Sequence, residues 1–143
     1  MSFPPSLFER VFLMPRILII DAESSTFDVL MRFTPDDRAE LLWASTPEEG
    51  LQIALGEEGV PDLIVLDLLM PGARDGLWTL RQIRKTEELC GANVAILSFS
   101  DERHTARCLG ANQYLHKPVS RRRWLEIIDE LDEVKNEAHE PVA

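Results

Sequence analysis

Asp62-Leu-Ile-Val-Leu-Asp67 is a short, unbroken apolar run closed at each end by an aspartate. A stretch of this length and continuity suits a strand buried on both faces, as in a parallel sheet covered by helices. Arg16-Ile-Leu-Ile-Ile-Asp21 and Asn93-Val-Ala-Ile-Leu-Ser98 have the same form, and two weaker runs, Glu40 to Ala44 and Gln113 to His116, complete the rhythm. Helical segments lie between them. Thr46-Pro47-Glu48-Glu49 offers a capping hydroxyl, a proline at the first helical position and a glutamate for a capping box. A third helix starts near Asp75 with Leu77, Leu80 and Ile83 on one face. Ser120 caps a last helix whose Trp124, Leu125, Ile128, Leu131 and Val134 form an inward stripe. The helix ending before Thr34-Pro35 and the one after Asp101 carry fewer apolar anchors.

Five strands alternating with five helices through right-handed crossovers give a doubly wound, flavodoxin-like α/β fold with a five-stranded parallel sheet. The expected strand order is 2-1-3-4-5. In such sheets ligands gather beyond the carboxyl ends of the strands where the winding reverses, here between the first and third strands. That rule puts Asp21 and Asp67 in one crevice.

The 143 residues suffice for one domain, expected over 15–135, with an N-terminal extension over 1–14 and a polar tail over 136–143. Any output then belongs to another protein. No apolar run approaches the roughly 20 residues of a membrane span. The net charge of -10, from 15 basic and 25 acidic side chains, disfavours direct binding of nucleic acid. Cys90 and Cys108 lack CxxC spacing and are read as having no histidine partner, which points to reduced, structural thiols in a cytoplasmic setting. The first 13 residues, with Leu7, Phe8, Val11 and Phe12, lack the basic start and cleavage site of a signal peptide.

Four polar residues close the apolar strands: Asp21, Asp67, Ser98 and, just after the fifth, Lys117. One carboxylate can attack phosphorus while the other holds Mg²⁺, a hard cation content with one or two protein carboxylates. Lys117 and Ser98 would then bind the phosphoryl oxygens. Each residue alone has a plainer account, since strand-end acids are commonly solvated and Lys-Pro commonly marks a turn. Together, and in this order, they describe a phosphoryl-transfer site.

From Arg16 to about Val134 the sequence resembles the response regulator receiver family of two-component signalling, on the segments RILIIDAE, PDLIVLDLLMPGARDG, AILSFS and LGANQYLHKPV. The resemblance implies a single-domain, chemotaxis-regulator-like signalling protein rather than an enzyme. It makes Asp67 the phosphoacceptor, served by a histidine kinase or phosphotransfer protein. Ser98 becomes the switch hydroxyl, Tyr114 the aromatic that moves with it, and Lys117 the family lysine, with a cis Lys117-Pro118 bond. Mg²⁺ would be held by Asp21, Asp67 and the backbone carbonyl of Leu69. The signal would pass to a separate output protein through the face made by the fourth helix, fifth strand and fifth helix.

The sequence also departs from the family. Ala22 stands where a second acid usually ligates the metal, and Glu23 is read as facing solvent. Phe99 replaces a small residue at the pocket entrance, Leu69 replaces a commonly polar one, and the loop from Met70 to Gly76 is one residue longer. Two outcomes follow: a receiver that needs more Mg²⁺ and loses its phosphoryl group slowly, or a pseudo-receiver working by protein contact alone. A haloacid dehalogenase-like phosphatase would use Asp21 as nucleophile, but leaves Asp67-Leu-Leu-Met-Pro unexplained. A flavin protein would need an acid-free phosphate loop after the first strand. Arg121, Arg122 and Arg123 oppose the dipole of the last helix, so beyond a solvated face they suit an acidic partner or a salt-bridged homodimer. His104 and His116 are read as surface residues, and Trp43, Trp78 and Trp124 as packing.

Overall fold

The structure, a computed structural model, describes residues 14–101 and 103–139, so the extension over 1–13 and residues 140–143 lie outside it. The strands are β1 (Arg16–Ile20), β2 (Glu40–Ala44), β3 (Leu63–Asp67), β4 (Val94–Ser98) and β5 (Gln113–His116). The helices are α1 (Ser24–Phe33), α2 (Pro47–Ala54), α3 (Gly76–Lys85), α4 (Arg103–Cys108) and α5 (Arg121–His139). All strand pairs are parallel and their order is β2-β1-β3-β4-β5, as expected. In register, Ile20 lies beside Leu66, and Asp67 beside Leu97. The polar residues that end β1, β3 and β4 therefore share one edge.

Because side chains alternate along a strand, each apolar run feeds two cores. Leu18, Ile20, Ile64, Leu66 and Ile96 pack with Ala54, Leu80, Ile83 and Ala106 of α2, α3 and α4. Ile17, Ile19, Leu63, Val65, Ala95 and Leu97 pack with Leu30 of α1 and Trp124, Ile127, Ile128 and Leu131 of α5. The stripe on α5 is thus spaced 124, 127, 128 and 131. Val134, expected inside, is 65% exposed, while its neighbour Lys135 turns inward to reach Met14 O and Asp62. The helix also continues through residues 136–139.

Local chemistry fixes the helix starts. Thr46 Oγ1 accepts from Glu49 N at 3.2 Å with Pro47 in the first turn. The return bond of the capping box closes one residue early, from Ser45 N to Glu49 Oε2 at 3.3 Å. Asp75 Oδ1 accepts from Trp78 N at 2.9 Å, and Ser120 Oγ accepts from Arg123 N at 3.1 Å. Trp124 Nε1 donates to Thr34 Oγ1 at 2.8 Å, and Thr34 Oγ1 donates to Leu30 O at 2.6 Å, so one hydroxyl ties α5 to the end of α1.

Candidate functional site

Asp67 is the last residue of β3 and is 7% exposed. Its Oδ1 accepts from Leu69 N at 3.0 Å, and its Oδ2 accepts from Lys117 Nζ at 2.9 Å. Asp21, 2% exposed just beyond β1, accepts the same ammonium on Oδ2 at 3.3 Å and Glu23 N on Oδ1 at 3.0 Å. Lys117 is brought there by β5: its backbone N donates to Ser98 O at 2.8 Å, and the Lys117-Pro118 bond is cis. Three of the four strand-end residues, Asp21, Asp67 and Lys117, therefore converge as the sequence suggests. The start of α3 closes on them so tightly that a Cβ on Gly76 would lie 2.2 Å from Asp67 O, and only glycine fits there.

Burial sets the electrostatics. Desolvation pushes the Asp67 carboxyl above its ordinary pKa, and the nearby charge of Asp21 adds to this against the hydrogen bonds from Lys117 and Leu69. Burial pulls the Lys117 ammonium down, but its hydrogen bond to Asp67 and the charges of Asp67 and Asp21 leave it raised overall. The lysine stays charged between two acids. Those acids carry two negative charges against its one, which suits a site that receives a further cation.

Ser98, 2% exposed at the end of β4, bonds with Ser100: Ser100 N donates to Ser98 Oγ at 3.1 Å, and the two hydroxyls are 3.0 Å apart. Tyr114 Oη donates to the carbonyl of Ser100. Ser100 escaped the sequence reading, although a second hydroxyl two residues after the strand-end serine was the signal. Trp43, expected to pack, stacks with Phe27 and also donates from Nε1 to Asp21 O at 2.9 Å.

Around the acids the departures from the family are visible. Ala22 lines a cavity of about 330 Å³ with Ser45, Thr46, Met70 and Arg74. The long loop folds over it through Arg74, which pairs with Glu48 Oε1 at 2.9 Å above the Trp78 ring. Glu23 is exposed, as expected. Phe99, 67% exposed, sets its ring 5.3 Å from Lys117 Nζ, and the Leu69 side chain is 65% exposed. Among the described residues no group of three or more His, Cys, Asp or Glu converges as a metal site. The pair Asp21 and Asp67 still meets the donor requirement of Mg²⁺, which takes one or two carboxylates and completes its shell with water and phosphate.

Two further expectations change. Cys108 Sγ lies 3.6 Å from His104 Nε2 one turn away on α4, so this thiol does have an imidazole neighbour, and the i, i+4 spacing carried that signal. Both cysteines are free and exposed rather than structural. Of the three arginines opening α5, Arg122 and Arg123 pair with acids one turn on, at 3.6 Å and 3.5 Å from Glu126. Those pairs offset part of the dipole cost. His116 is exposed.

No helix among the described residues is long and apolar enough to cross a membrane. The family model for the response regulator receiver domain matches residues 17–129. Protein PilH of Pseudomonas aeruginosa is 29% identical over 119 residues, covering 81% of this chain and 96% of PilH. The "Probable transcriptional regulator ycf27" of Porphyridium aerugineum is 34% identical over 105 residues, which are 73% of this chain and 42% of that protein. This chain thus spans less than half of the longer relative. The crystal structure of a response regulator receiver domain protein from Clostridium thermocellum superposes with a TM-score of 0.72 at 30% identity, covering 87% of this chain and 99% of that one. Fold, edge geometry and family match agree, and the chain belongs to the response regulator receiver family.

Proposed function

We propose that Asp67 accepts a phosphoryl group from a histidine kinase or phosphotransfer protein, and that the chain signals through the surface of α4, β5 and α5 to a separate output protein. The observation carrying this is the single ammonium shared by two buried strand-end acids, 2.9 Å from Asp67 and 3.3 Å from Asp21. In the transfer, an Asp67 oxygen forms a bond to phosphorus while the bond from phosphorus to the donor nitrogen or oxygen breaks, its electron pair leaving with the donor. Lys117 neutralises charge on the transferred oxygens, and the hydroxyl of Ser98 donates to them. Asp21, Asp67 and the carbonyl of Leu69 would hold Mg²⁺, which when bound supplies further neutralisation of the phosphoryl charge.

Phosphorylation converts one charge on Asp67 to nearly two. That change draws Lys117 and Ser98 toward the edge and biases the loop between β4 and α4, which Tyr114 holds through Ser100. The exposed side chains of Leu69 and Phe99 flank the acyl phosphate and hinder an approaching water, which favours slow loss of the group.

A second reading, a pseudo-receiver acting by contact alone, is favoured by Ala22, which leaves the metal one carboxylate fewer. One experiment separates the two. Intact mass is measured after exposure to a small acyl phosphate, with and without Mg²⁺, for the wild type and Asp67→Asn. A Mg²⁺-dependent phosphoryl adduct that Asp67→Asn abolishes is expected. No adduct at any Mg²⁺ concentration would favour the pseudo-receiver, and an adduct kept in Asp67→Asn would move the acceptor elsewhere.

A further inference from the structure

We infer that Ser100 is a positioning residue for phosphoryl transfer: it fills both lone pairs of the Ser98 hydroxyl and so commits its one proton to the anion on Asp67. This rests on the phosphoacceptor reading above. A hydroxyl has two acceptor sites and one proton. Ser98 Oγ has the backbone N–H of Ser100 at 3.1 Å and the Ser100 hydroxyl at 3.0 Å. When phosphate oxygens, which only accept, arrive on Asp67, one arrangement satisfies every group. The Ser100 N–H and O–H both donate to Ser98 Oγ, and the Ser98 proton points to the phosphoryl oxygen.

Ser98 is buried and needs a fixed partner, whereas Ser100 is exposed and has no packing reason to be a serine. The same residue carries the mechanical link. Its carbonyl receives the Tyr114 hydroxyl, so a displacement of Ser98 is passed through one residue to the aromatic on β5. Lys117 N, bonded to Ser98 O at 2.8 Å, fixes the other side of this loop. The loop can then move as a unit with respect to β5 only by changing what Tyr114 touches.

Tyr114 is the one tyrosine in the chain, so fluorotyrosine labelling yields a single ¹⁹F signal for it. The experiment follows the rate of Asp67 phosphorylation by a small acyl phosphate with Mg²⁺, together with that signal, in the wild type, Ser100→Ala, Ser100→Thr, Ser98→Ala and the double variant Ser98→Ala with Ser100→Ala. Loss of one oriented donor is expected to slow Ser100→Ala about three- to tenfold and to shrink the ¹⁹F response at full occupancy. Ser100→Thr, which keeps the hydroxyl, is expected within about twofold of the wild type. In the Ser98→Ala background the further change is expected to have no effect, since the hydroxyl it acts through is gone. An effect of equal size in that background would make Ser100 merely structural and overturn the inference. So would a Ser100→Ala protein indistinguishable from the wild type, or a Ser100→Thr protein as slow as Ser100→Ala. A wild type that takes up no phosphoryl group overturns the phosphoacceptor reading itself and the inference with it, a result distinct from the others.

Discussion

At position 22 an alanine lines a cavity where the proposed metal site would have one carboxylate fewer than the family's usual two adjacent acids supply. An acid there would add one unit charge a few ångströms from a divalent ion, worth on the order of 2 kcal/mol even at high dielectric. Ala22→Asp is therefore expected to tighten Mg²⁺ binding by at least about tenfold. Trp43, bonded to the Asp21 carbonyl, gives a fluorescence signal for the titration, and an unchanged midpoint would show that position 22 does not reach the ion. Asp67 yields a pH prediction of definite sign. Burial holds its folded pKa above the unfolded one, so the native chain keeps this proton to higher pH than the unfolded chain does. As pH rises from the ordinary aspartate range through the raised value, the wild type should lose stability relative to Asp67→Asn, and above it the gap should stay constant. Urea unfolding of both proteins across the acid range measures that gap; a gap widening in favour of the wild type would mean that the fold stabilises the carboxylate.

On the scale of elements, α3 is held at its C-terminus by one side chain. Arg84 donates to Gly110 O at 2.7 Å and 2.9 Å, to Ala92 O at 2.7 Å, to Cys90 O at 3.1 Å and to Asn112 Oδ1 at 2.8 Å. It thereby joins the loops before β4 and before β5, and Gly110 at a φ of 96° is the left-handed turn that presents its carbonyl. Arg84→Ala removes these donors and leaves partly buried carbonyls without partners, for an expected loss of about 2–4 kcal/mol in chemical denaturation. A loss below about 0.5 kcal/mol would show that water replaces the guanidinium at no cost. Elements of this kind mark the limit of what the sequence discloses. The strands were legible because an apolar run such as Leu63 to Leu66 can be satisfied only between two helical layers, and their order was expected from the doubly wound fold class. The convergence of Asp21, Asp67 and Lys117 followed, because parallel strands bring their carboxyl ends to one edge. Arg84 and the inward turn of Ile127 were not legible, since each depends on where loops or neighbouring elements arrive, and a local pattern carries no record of that; Ser100, two residues from Ser98, did leave a local signal.

Across the whole molecule the two ends of the sheet are specialised differently. At the carboxyl edge two buried acids share one lysine, and Asp67 keeps a raised pKa. At the amino edge the charged side chains instead tie separate elements together. Asp62 Oδ2 accepts the backbone N–H of Arg16 at 2.8 Å and Lys135 Nζ at 3.0 Å, while the Arg16 guanidinium reaches Glu58 at 3.2 Å and Glu40 at 3.5 Å. These contacts join β1, β2, the start of β3 and α5, elements far apart along the chain. Charges that cross-link elements at one edge and acids gathered around a single lysine at the other imply that stability and function are separable by substitution. Asp62→Asn weakens the bonds to Arg16 N and Lys135 and is expected to lower global stability by about 1–3 kcal/mol, with the phosphorylation rate within twofold of the wild type. Asp67→Asn removes a desolvated carboxylate and is expected to abolish phosphorylation while changing stability at neutral pH by no more than about 1 kcal/mol. Unfolding curves and phosphorylation assays on the two variants together test the division. If Asp62→Asn slowed phosphorylation tenfold while stability held, the amino edge would be coupled to the site and the separation would fail.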